Sequence, residues 1–291
     1  MTRRIAVIVN PAAGGGAAGA AIAPVRAELD RLGVEHRVVE TRSADHAHEE
    51  GVTAAGAGET VAAVGGDGIV GVLAGALRNT DSALALIPGG RGNDFARVLG
   101  IPTDPAAAAR LAVEGEERLI DVAEAGGRSF VGIASVGFDS VANKIANESK
   151  LIQGNLVYAY AALRALVTWK DATFEVIVDG ERHTLTGFSI AVANSKAYGG
   201  GMYAVPQAQL DDGLLDVVLS EGASRMHHLK LVPKAFKGTH VDDPTLHFTR
   251  GRTVEVRADR PFTMYADGDP IAELPATVTV AHRVLRVIVP R

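Results

Sequence analysis

The sequence predicts an α/β protein with a doubly wound, mostly parallel N-terminal domain and an antiparallel C-terminal domain of the sandwich type. Three observations predict this fold class. Short apolar runs alternate with helical patterns over the first 114 residues, which is typical of βαβ units and a mostly parallel sheet. Glycine-rich loops follow several of these runs. From residue 119 onward, β-type runs separated by turn signals dominate.

The elements of the first part follow from apolar runs and their end signals. Continuous or alternating apolar residues predict strands, and an alanine-rich helix ends at Gly33, as glycine at the position after a helix commonly does. A second alanine-rich helix is predicted over Pro105–Glu114. The predicted strands are Ile5–Val9, Val34–Glu40, Val61–Val64 and Leu84–Ile87.

The second part is predicted to be an antiparallel domain that the chain enters near residue 121. Two helical stretches, Asn155–Trp169 and Arg225–Lys237, interrupt its strands. The predicted strands are Leu119–Ala125, Ser129–Ser135, Phe174–Val178, Phe188–Ala193, Leu215–Leu219, Val254–Ala258, Thr277–Val280 and Val284–Val289.

Composition excludes several classes of protein. With 291 residues, 47% of them apolar and 22% charged, the chain can form two domains with substantial cores. Its net charge of −5 argues against nucleic acid as a partner. It has no cysteine, which excludes disulfides and thiol chemistry and favours a cytoplasmic location. We expect no signal peptide, because Met1–Arg4 leads into a short strand pattern, and no apolar run of about 18 residues predicts a membrane span.

A glycine-rich turn at residues 65–68, Gly-Gly-Asp-Gly, joins a predicted strand to a predicted helix. This arrangement brings backbone N–H groups up to a phosphate, because glycine has no Cβ to block the approach. A lone carboxylate at Asp67 repels phosphate unless a divalent cation lies between them, which suggests a magnesium–nucleotide site. The alternative is a tight turn with an aspartate that caps a helix.

A second glycine pattern suggests a different class of protein. Gly14, Gly16 and Gly19 spell G-x-G-x-x-G after a strand, and Glu40 ends the next strand, as in nicotinamide-dependent oxidoreductases. However, four residues separate the first strand from these glycines, whereas the fingerprint begins at the strand end. A dehydrogenase also leaves the glycine loops at 65–68 and 90–94 unexplained. We therefore keep it as an alternative.

Loops at the carboxyl ends of successive parallel strands share one crevice, where ligands bind. Here those loops carry Asn-Pro-x-x-Gly at residues 10–14, Gly-Gly-Asp-Gly, and Pro-x-Gly-x-x-Asn-Asp-Phe-Ala-Arg at Pro88–Arg97. Gly-Phe-Asp at 137–139, residues 194–201 and 206–215, and Asp-Gly-Asp-Pro at 267–270 follow in order. Together these motifs resemble the diacylglycerol kinase catalytic domain family, and most closely its bacterial soluble lipid kinases. Sphingosine kinases and, more distantly, NAD kinases are related.

The resemblance implies a Rossmann-like, doubly wound N-terminal domain and an antiparallel β-sandwich C-terminal domain, with ATP held between them. They are residues 1–121 with a returning C-terminal strand at 284–291, and residues 122–283 as an acceptor-binding sandwich. It implies Asp269 as the general base, with Asp267 on the same turn, and a magnesium-binding loop at Gln209, Asp212 and Leu214. The implied nucleotide-contacting positions are Asn10, Pro11, Gly14, Thr41, Gly65, Gly66, Asp67, Gly68, Gly71, Val72, Gly90, Arg91, Asn93 and Asp94.

Phosphoryl transfer requires carboxylates and cation ligands of the kind that these segments supply. The reaction depends on positioning and charge neutralisation, and an attacking hydroxyl needs a carboxylate within hydrogen-bond reach. Residues 267–269 supply two carboxylates on one turn, and residues 211–214 supply oxygen ligands suited to a hard cation. Each segment is also explained by a plain Asp-Gly hairpin turn. Which of Asp267 and Asp269 accepts the proton stays open at this point.

The sequence departs from the family pattern at several site positions. Ile69, Gly71 and Val72 stand where the family usually has Thr, Asn and Glu, so a hydroxyl, an amide and a carboxylate are missing. Arg91 replaces the usual Thr, and its guanidinium can bind phosphate in a bidentate manner. Asp269 replaces the usual Glu, which shortens the base by about one carbon–carbon bond. We therefore expect an active enzyme with altered nucleotide or acceptor preference.

The sequence thus predicts an ATP- and magnesium-dependent kinase for a lipid-like acceptor, cytoplasmic and peripherally membrane-associated, with a homodimer left open. A kinase for a soluble acceptor such as NAD, and a nucleotide- or lipid-binding protein that has lost catalysis, are the alternatives. A basic surface around residues 227–237 either meets anionic lipid or is an ordinary solvated helix face. Apolar residues between Leu151 and Trp169 either rim a lipid groove or face the core.

Overall fold

The computed structural model describes residues 3–149 and 156–291. The chain forms two compact units. The N-terminal unit comprises Met1–Val122, Ser129–Val131 and Ala281–Arg291, and the C-terminal unit comprises Ala123–Arg128 and Gly132–Val280. Leu151, Ile152 and Asn155, which the sequence analysis placed in a groove or a helix, lie outside the described residues.

The N-terminal unit contains a parallel sheet of β1 (Ile5–Val9), β2 (His36–Glu40), β3 (Thr60–Gly65) and β4 (Ala83–Pro88) in the order β2-β1-β3-β4. The end of the last strand of the chain, β15 (Ala276–Val289), extends this sheet beside β4. All five residues of β1 are buried, which is why this strand appears in the sequence as a continuous apolar run. Two further strands, β5 (Glu116–Ala125) and β6 (Arg128–Phe130), pair with each other, and each has residues in both units.

Helices alternate with these strands, which confirms the predicted α/β class. The predicted alanine-rich segment forms two α-helices separated at Ala21, and a short 3-10 turn at Ala13–Gly15, in which Gly14 and Gly15 adopt positive φ, precedes them. The helices are α1 (Ala17–Ala20), α2 (Ile22–Arg31), α3 (Ala44–Gly56), α4 (Asp67–Leu77), α5 (Asp94–Val98) and α6 (Pro105–Glu114).

The C-terminal unit is built on antiparallel strands, as predicted. Their order is β14-β13-β7-β9-β8-β12-β15, and β10 pairs with both β9 and β11. The strands are β7 (Ile133–Gly137), β8 (Ala172–Val178), β9 (Glu181–Ala193), β10 (Leu215–Glu221), β11 (Leu246–Gly251), β12 (Thr253–Ala258), β13 (Thr263–Ala266), β14 (Asp269–Glu273) and β15 (Ala276–Val289).

Several strand predictions need correction: β9 begins at Glu181 and not at Phe188, and β11, β13 and β14 were not predicted. The run Ser129–Ser135 is not one strand, because it is interrupted at Val131 and Gly132, between β6 and β7. The predicted strands at 277–280 and 284–289 form a single strand, β15. The buried Asp121 carboxylate accepts the Arg283 N–H at 2.7 Å, which holds the backbone where we expected a turn.

The described helices of the C-terminal unit are α7 (Phe138–Glu148), α8 (Leu156–Thr168) and α9 (Arg225–Lys237). The bounds of α9 agree with the prediction. Ser224 caps α9 by accepting the His227 N–H, and Gly238 ends it in the left-handed conformation.

Candidate functional site

Three loops converge at the carboxyl ends of the strands in the N-terminal unit. The Gly89 N–H donates to the Gly65 carbonyl at 2.8 Å, which joins the loop after β4 to the end of β3. The Asn10 N–H donates to the Val64 carbonyl at 3.1 Å, which joins the loop after β1 to the same strand. The predicted glycine loops at residues 10–14, 65–68 and 89–94 are therefore neighbours.

The glycines allow these loops to approach at backbone distance. A Cβ added to Gly90 would lie 2.3 Å from the Gly66 Cα, and one added to Gly14 would lie 2.3 Å from the Gly89 carbonyl oxygen. No other residue type fits either position without displacing the facing backbone. Such a bare loop cluster beside the first turn of α4 fits a polyphosphate, which needs backbone donors and close approach.

Asp67 holds two of these segments together. Its carboxylate accepts the backbone N–H groups of Asp94 at 3.1 Å and Phe95 at 3.0 Å, so it ties the start of α4 to the start of α5. Burial, with a smaller contribution from the charge of Asp94, raises the pKa of Asp67. Asp67 therefore caps α5 and not α4, the helix that follows its own turn and that has no side-chain cap, and Asp94 in turn pairs with Arg97.

The remaining predicted positions of this unit are distributed around the loops. Asn93 closes the loop after β4, since its side chain accepts the Gly90 N–H at 2.8 Å and donates to the Gly90 carbonyl at 2.9 Å. Thr41 follows β2 and donates through both its N–H and its hydroxyl to the Val9 carbonyl. Arg91 is solvent-exposed. Gly68, Gly71 and Val72 lie in the first two turns of α4, and Pro11 follows Asn10 in the loop after β1.

In the C-terminal unit, the acidic turn joins β13 to β14. Asp267 and Gly268 have φ values of 52° and 92°, which is typical of a two-residue hairpin turn. The Asp267 carboxylate accepts the Gly132 N–H at 3.3 Å, and the Gly132 carbonyl accepts the N–H groups of Asn194 at 3.0 Å and Ser195 at 3.1 Å. Asp267 is therefore part of the hydrogen-bonded framework of the turn.

Asp269 is the first residue of β14 and is solvent-exposed. Although the residue reaches solvent, desolvation of its carboxyl group by surrounding protein raises its pKa, and Arg128 acts in the opposite direction. Arg128 also donates to the Pro270 carbonyl at 3.0 Å, which places its guanidinium beside the turn. A raised pKa suits a carboxylate that accepts a proton during a reaction.

The predicted magnesium loop has a cationic partner within the chain. Asp212 contacts the Arg250 guanidinium, and its other carboxylate oxygen accepts the Leu214 N–H at 3.1 Å. Arg250 also lies 3.1 Å from the buried carboxylate of Asp216. The donor set fits a hard cation only in part, because a divalent cation at Gln209, Asp212 and Leu214 competes with this guanidinium for Asp212.

Other clusters give no further site. Among residues 3–149 and 156–291, no three His, Cys, Asp or Glu side chains are grouped as metal ligands. A surface depression of about 410 Å³ is lined by Arg257–Pro261, Leu274 and Pro275, and none of the predicted site residues lines it. Within the same described ranges, no helix is long and apolar enough to cross a bilayer.

Sequence reasoning missed three residues of this region. The Gly132 N–H donates to the Asp267 carboxylate. A lone glycine inside a strand pattern is the sequence signal for such a close approach. Arg250 neutralises the acidic loop from a distant strand, which no local pattern reveals. Tyr198, together with Ser189, hydrogen-bonds to Asp139, whose pKa rises to about 6 because desolvation of the carboxyl group outweighs these two bonds.

The fold and these loops define a class of protein: an α/β unit in which three glycine loops converge, joined to a β-sandwich unit. Residues 4–125 match the diacylglycerol kinase catalytic domain, and residues 132–289 match the YegS C-terminal NAD kinase beta sandwich-like domain. The chain belongs to the bacterial diacylglycerol kinase and YegS-like lipid kinase family.

Individual relatives are similar over nearly the whole chain. The diacylglycerol kinase of Mycobacterium tuberculosis strain H37Rv is 34% identical, and the alignment covers 99% of this chain and 96% of the relative. The diacylglycerol kinase of Bacillus subtilis strain 168 is 27% identical over 99% and 97%. A crystal structure from Bacillus anthracis str. Sterne, of a protein regarded as a diacylglycerol kinase, matches with a TM-score of 0.83 at 21% identity, covering 99% of this chain and 95% of that one, which shows the fold.

Proposed function

We propose that this protein is an ATP-dependent lipid kinase that transfers the γ-phosphoryl group of ATP to a hydroxyl of a diacylglycerol-like or other lipid acceptor. The observation that carries the proposal is the backbone convergence of the loops after β1, β3 and β4. These loops lie in the segment that matches the diacylglycerol kinase catalytic domain. The names of the relatives support the acceptor class.

In this proposal the N-terminal unit binds ATP. The loops at 10–14, 65–68 and 90–94 present backbone to the phosphates, and Asp67 holds the last two loops in register. Thr41 and the second turn of α4, with Gly71 and Val72, line the nucleotide. The exposed guanidinium of Arg91 supplies positive charge in place of the groups that the family has on α4. Arg91→Thr should therefore weaken ATP binding, and tighter binding by this variant would contradict the assignment.

In the proposed reaction, the acceptor hydroxyl oxygen forms a bond to the γ-phosphorus while the bond between that phosphorus and the bridging oxygen of ADP breaks. The hydroxyl proton passes to the Asp269 carboxylate. Asp267 positions the turn through Gly132, so we assign the base role to Asp269. Mg²⁺, when bound, neutralises negative charge on the phosphates. We propose it as the metal of the reaction and keep Gln209, Asp212 and Leu214 as its loop.

The experiment that tests the proposal is transfer of labelled phosphate from ATP to a panel of lipids and to NAD, with thin-layer separation of the products. Wild type should label a lipid, and Asp269→Asn should not. Label on NAD alone would instead show that the protein is a kinase for a soluble acceptor. ATP binding without transfer to any acceptor would assign a binding protein that has lost catalysis, which the replacements at Ile69, Val72 and Asp269 favour.

We also propose a cytoplasmic enzyme that works at the membrane surface, because a long-chain lipid acceptor resides in a bilayer. Nucleic acid is not a proposed partner, since the net charge is −5. Homodimer formation stays a prediction, and light scattering on the purified chain measures it directly.

A further inference from the structure

Exposed apolar side chains are concentrated on two helices of the C-terminal unit. Nine large apolar side chains are exposed among the described residues, and seven of them lie on α8 and α9. Single exposed apolar residues are normal on a protein surface, but a concentration of this kind marks an interaction surface. The seven are Tyr160, Leu163, Val167, Met226, Leu229, Val232 and Phe236.

On α9, the exposed apolar residues lie along one side of the helix. Met226, Leu229, Val232 and Phe236 are spaced three or four residues apart and are 43% to 61% exposed. The opposite side faces the protein, where His228 stacks on Phe188 with a centroid distance of 3.7 Å. Helix α9 therefore has an apolar side that is exposed to solvent, in addition to the side that packs against the protein.

The same arrangement occurs on α8. Tyr160, Leu163 and Val167 are exposed at helical spacing, whereas Ala161 and Ala165 on the other side are buried. Trp169, directly after α8, contacts Phe188 edge-on with a centroid distance of 5.8 Å. Because His228 of α9 stacks on the same Phe188 ring, the end of α8 and the start of α9 lie beside one side chain. We name the exposed sides of α8 and α9 the α8–α9 face.

The charged residues of α8 and α9 are all basic. Together α8 and α9 contain Arg164, Arg225, Lys230, Lys234 and Lys237 and no acidic residue, although the whole chain carries a net charge of −5. Apolar side chains flanked by basic ones favour the surface of a bilayer that contains anionic lipid. A second copy of the chain would bring the same positive charges against this face, so it is a poorer occupant.

We propose that the α8–α9 face docks on anionic lipid bilayers, with its apolar side chains entering the interface and the lysines of α9 at the head groups. The inference rests on the proposed function for its link to lipid phosphorylation. The binding itself requires neither ATP nor catalysis, so the two are tested separately.

The test is co-sedimentation of the full chain with vesicles, without ATP. Vesicles of equal parts phosphatidylglycerol and phosphatidylcholine are compared with pure phosphatidylcholine. Wild type should bind the anionic vesicles, and binding should weaken at high salt. Leu229→Gln/Phe236→Gln should lower the partition coefficient at least about tenfold on anionic vesicles. Lys230→Gln/Lys234→Gln/Lys237→Gln should abolish the preference for anionic vesicles.

Matched controls lie on the N-terminal unit. Val52→Gln removes an apolar side chain that is 50% exposed on α3, and Arg26→Gln removes an exposed charge on α2. Both should bind vesicles like wild type, and all variants should melt within a few degrees of it. Unchanged vesicle binding by both α9 variants would overturn the proposal. If wild type is a dimer and Leu229→Gln/Phe236→Gln is a monomer, the α8–α9 face binds a second copy of the chain and not a bilayer.

A soluble short-chain diacylglycerol separates this proposal from the kinase assignment. Both α9 variants should phosphorylate it at the wild-type rate and lose activity only on long-chain acceptor in vesicles. Vesicle binding by wild type without any phosphoryl transfer would refute the kinase assignment and leave the docking face standing. Transfer to the short-chain acceptor without vesicle binding by wild type would support the kinase assignment and refute the docking face.

Discussion

The Nε atom of Arg250 lies 3.1 Å from the carboxylate of Asp216, a residue that is 2% exposed. The two residues are directly opposite each other on the antiparallel strands β10 and β11, so the strand register creates the pair. The same guanidinium reaches Asp212. Arg250 thus pairs with two carboxylates, of which Asp212 is a predicted magnesium ligand and Asp216 is not.

Arg250→Gln should destabilise the protein by about 1–2 kcal/mol at pH 7, less than for a fully buried pair because the guanidinium is partly exposed. Burial already raises the pKa of Asp216, and Arg250 opposes that shift. Without Arg250 the pKa should rise further, so the loss of stability should shrink as the pH falls and Asp216 becomes protonated. Urea unfolding at pH 5 and pH 8 measures this, and Arg250→Gln/Asp216→Asn should recover most of the loss.

The same variant tests the magnesium loop. If Arg250 competes with a cation at Asp212, then Mg²⁺ should raise the melting temperature of Arg250→Gln by more than it raises that of wild type. Equal shifts in the two proteins would remove Gln209, Asp212 and Leu214 from the list of magnesium ligands. The control is Arg250→Gln/Asp212→Asn, which should lose the additional shift.

The two carboxylates of the acidic turn should respond differently to substitution. Asp269→Asn should lower kcat by about 10²-fold or more, because the acceptor hydroxyl loses its proton acceptor. Asp267→Asn should keep most of the activity, since an amide oxygen can still accept the Gly132 N–H and Asn tolerates the left-handed φ of 52°. Labelled-phosphate transfer gives the rates. Equal losses in the two variants would contradict the assignment of Asp269 as the base.

Arg128 should control the pH at which Asp269 becomes active. A base must be deprotonated, so kcat/KM should fall as the pH drops through the raised pKa of Asp269. Arg128 lowers that pKa, so Arg128→Gln should move the acidic limb of the profile to higher pH, whereas Arg128→Lys should move it less. An acidic limb that stays at the same pH in Arg128→Gln would show that another group titrates.

Local patterns predicted most of the fold. The strand Ile5–Val9 and the helices Pro105–Glu114 and Arg225–Lys237 have the predicted bounds, because each is an apolar or amphipathic run with clear end signals. The interruption at Gly132 and the continuity of β15 were not predictable in this way. Both depend on aspartates, Asp267 and Asp121, that bind the backbone from more than 130 residues away along the chain.

The candidate site was likewise predicted where the signal is local in the sequence and missed where it depends on residues far apart in the chain. Glycine spacing indicated the loops that converge in the N-terminal unit, since only glycine avoids a clash where a Cβ would overlap the facing backbone, as at Gly14 and Gly90. It could not indicate that Asp67 accepts two N–H groups from α5, because the first of those donors, Asp94, lies 27 residues later in the chain. The partner of Asp212 was hidden for the same reason, as it depends on the register between β10 and β11.

Gly90→Ala should disrupt the proposed nucleotide site. The new Cβ would lie 2.3 Å from the Gly66 Cα, so the loops after β3 and β4 must separate. We expect the KM for ATP to rise at least about tenfold, because phosphate binding depends on sub-ångström placement of these loops. Gly56→Ala is the control, since its Cβ meets nothing within 4 Å. A wild-type KM in Gly90→Ala would show that ATP does not use these loops.

Asp139 should make stability depend on pH. Burial raises its pKa from 3.8 to about 6, so the folded state favours the protonated carboxyl and the free energy of unfolding should fall as the pH rises between these values. Asp139→Asn removes a penalty of up to about 3 kcal/mol at pH 7 and none at pH 3. The difference between variant and wild type in urea unfolding should therefore appear only above pH 4. Ser189→Ala, which removes a hydrogen bond that lowers this pKa, should enlarge the pH dependence, and equal differences at pH 3 and pH 7 would contradict the assignment.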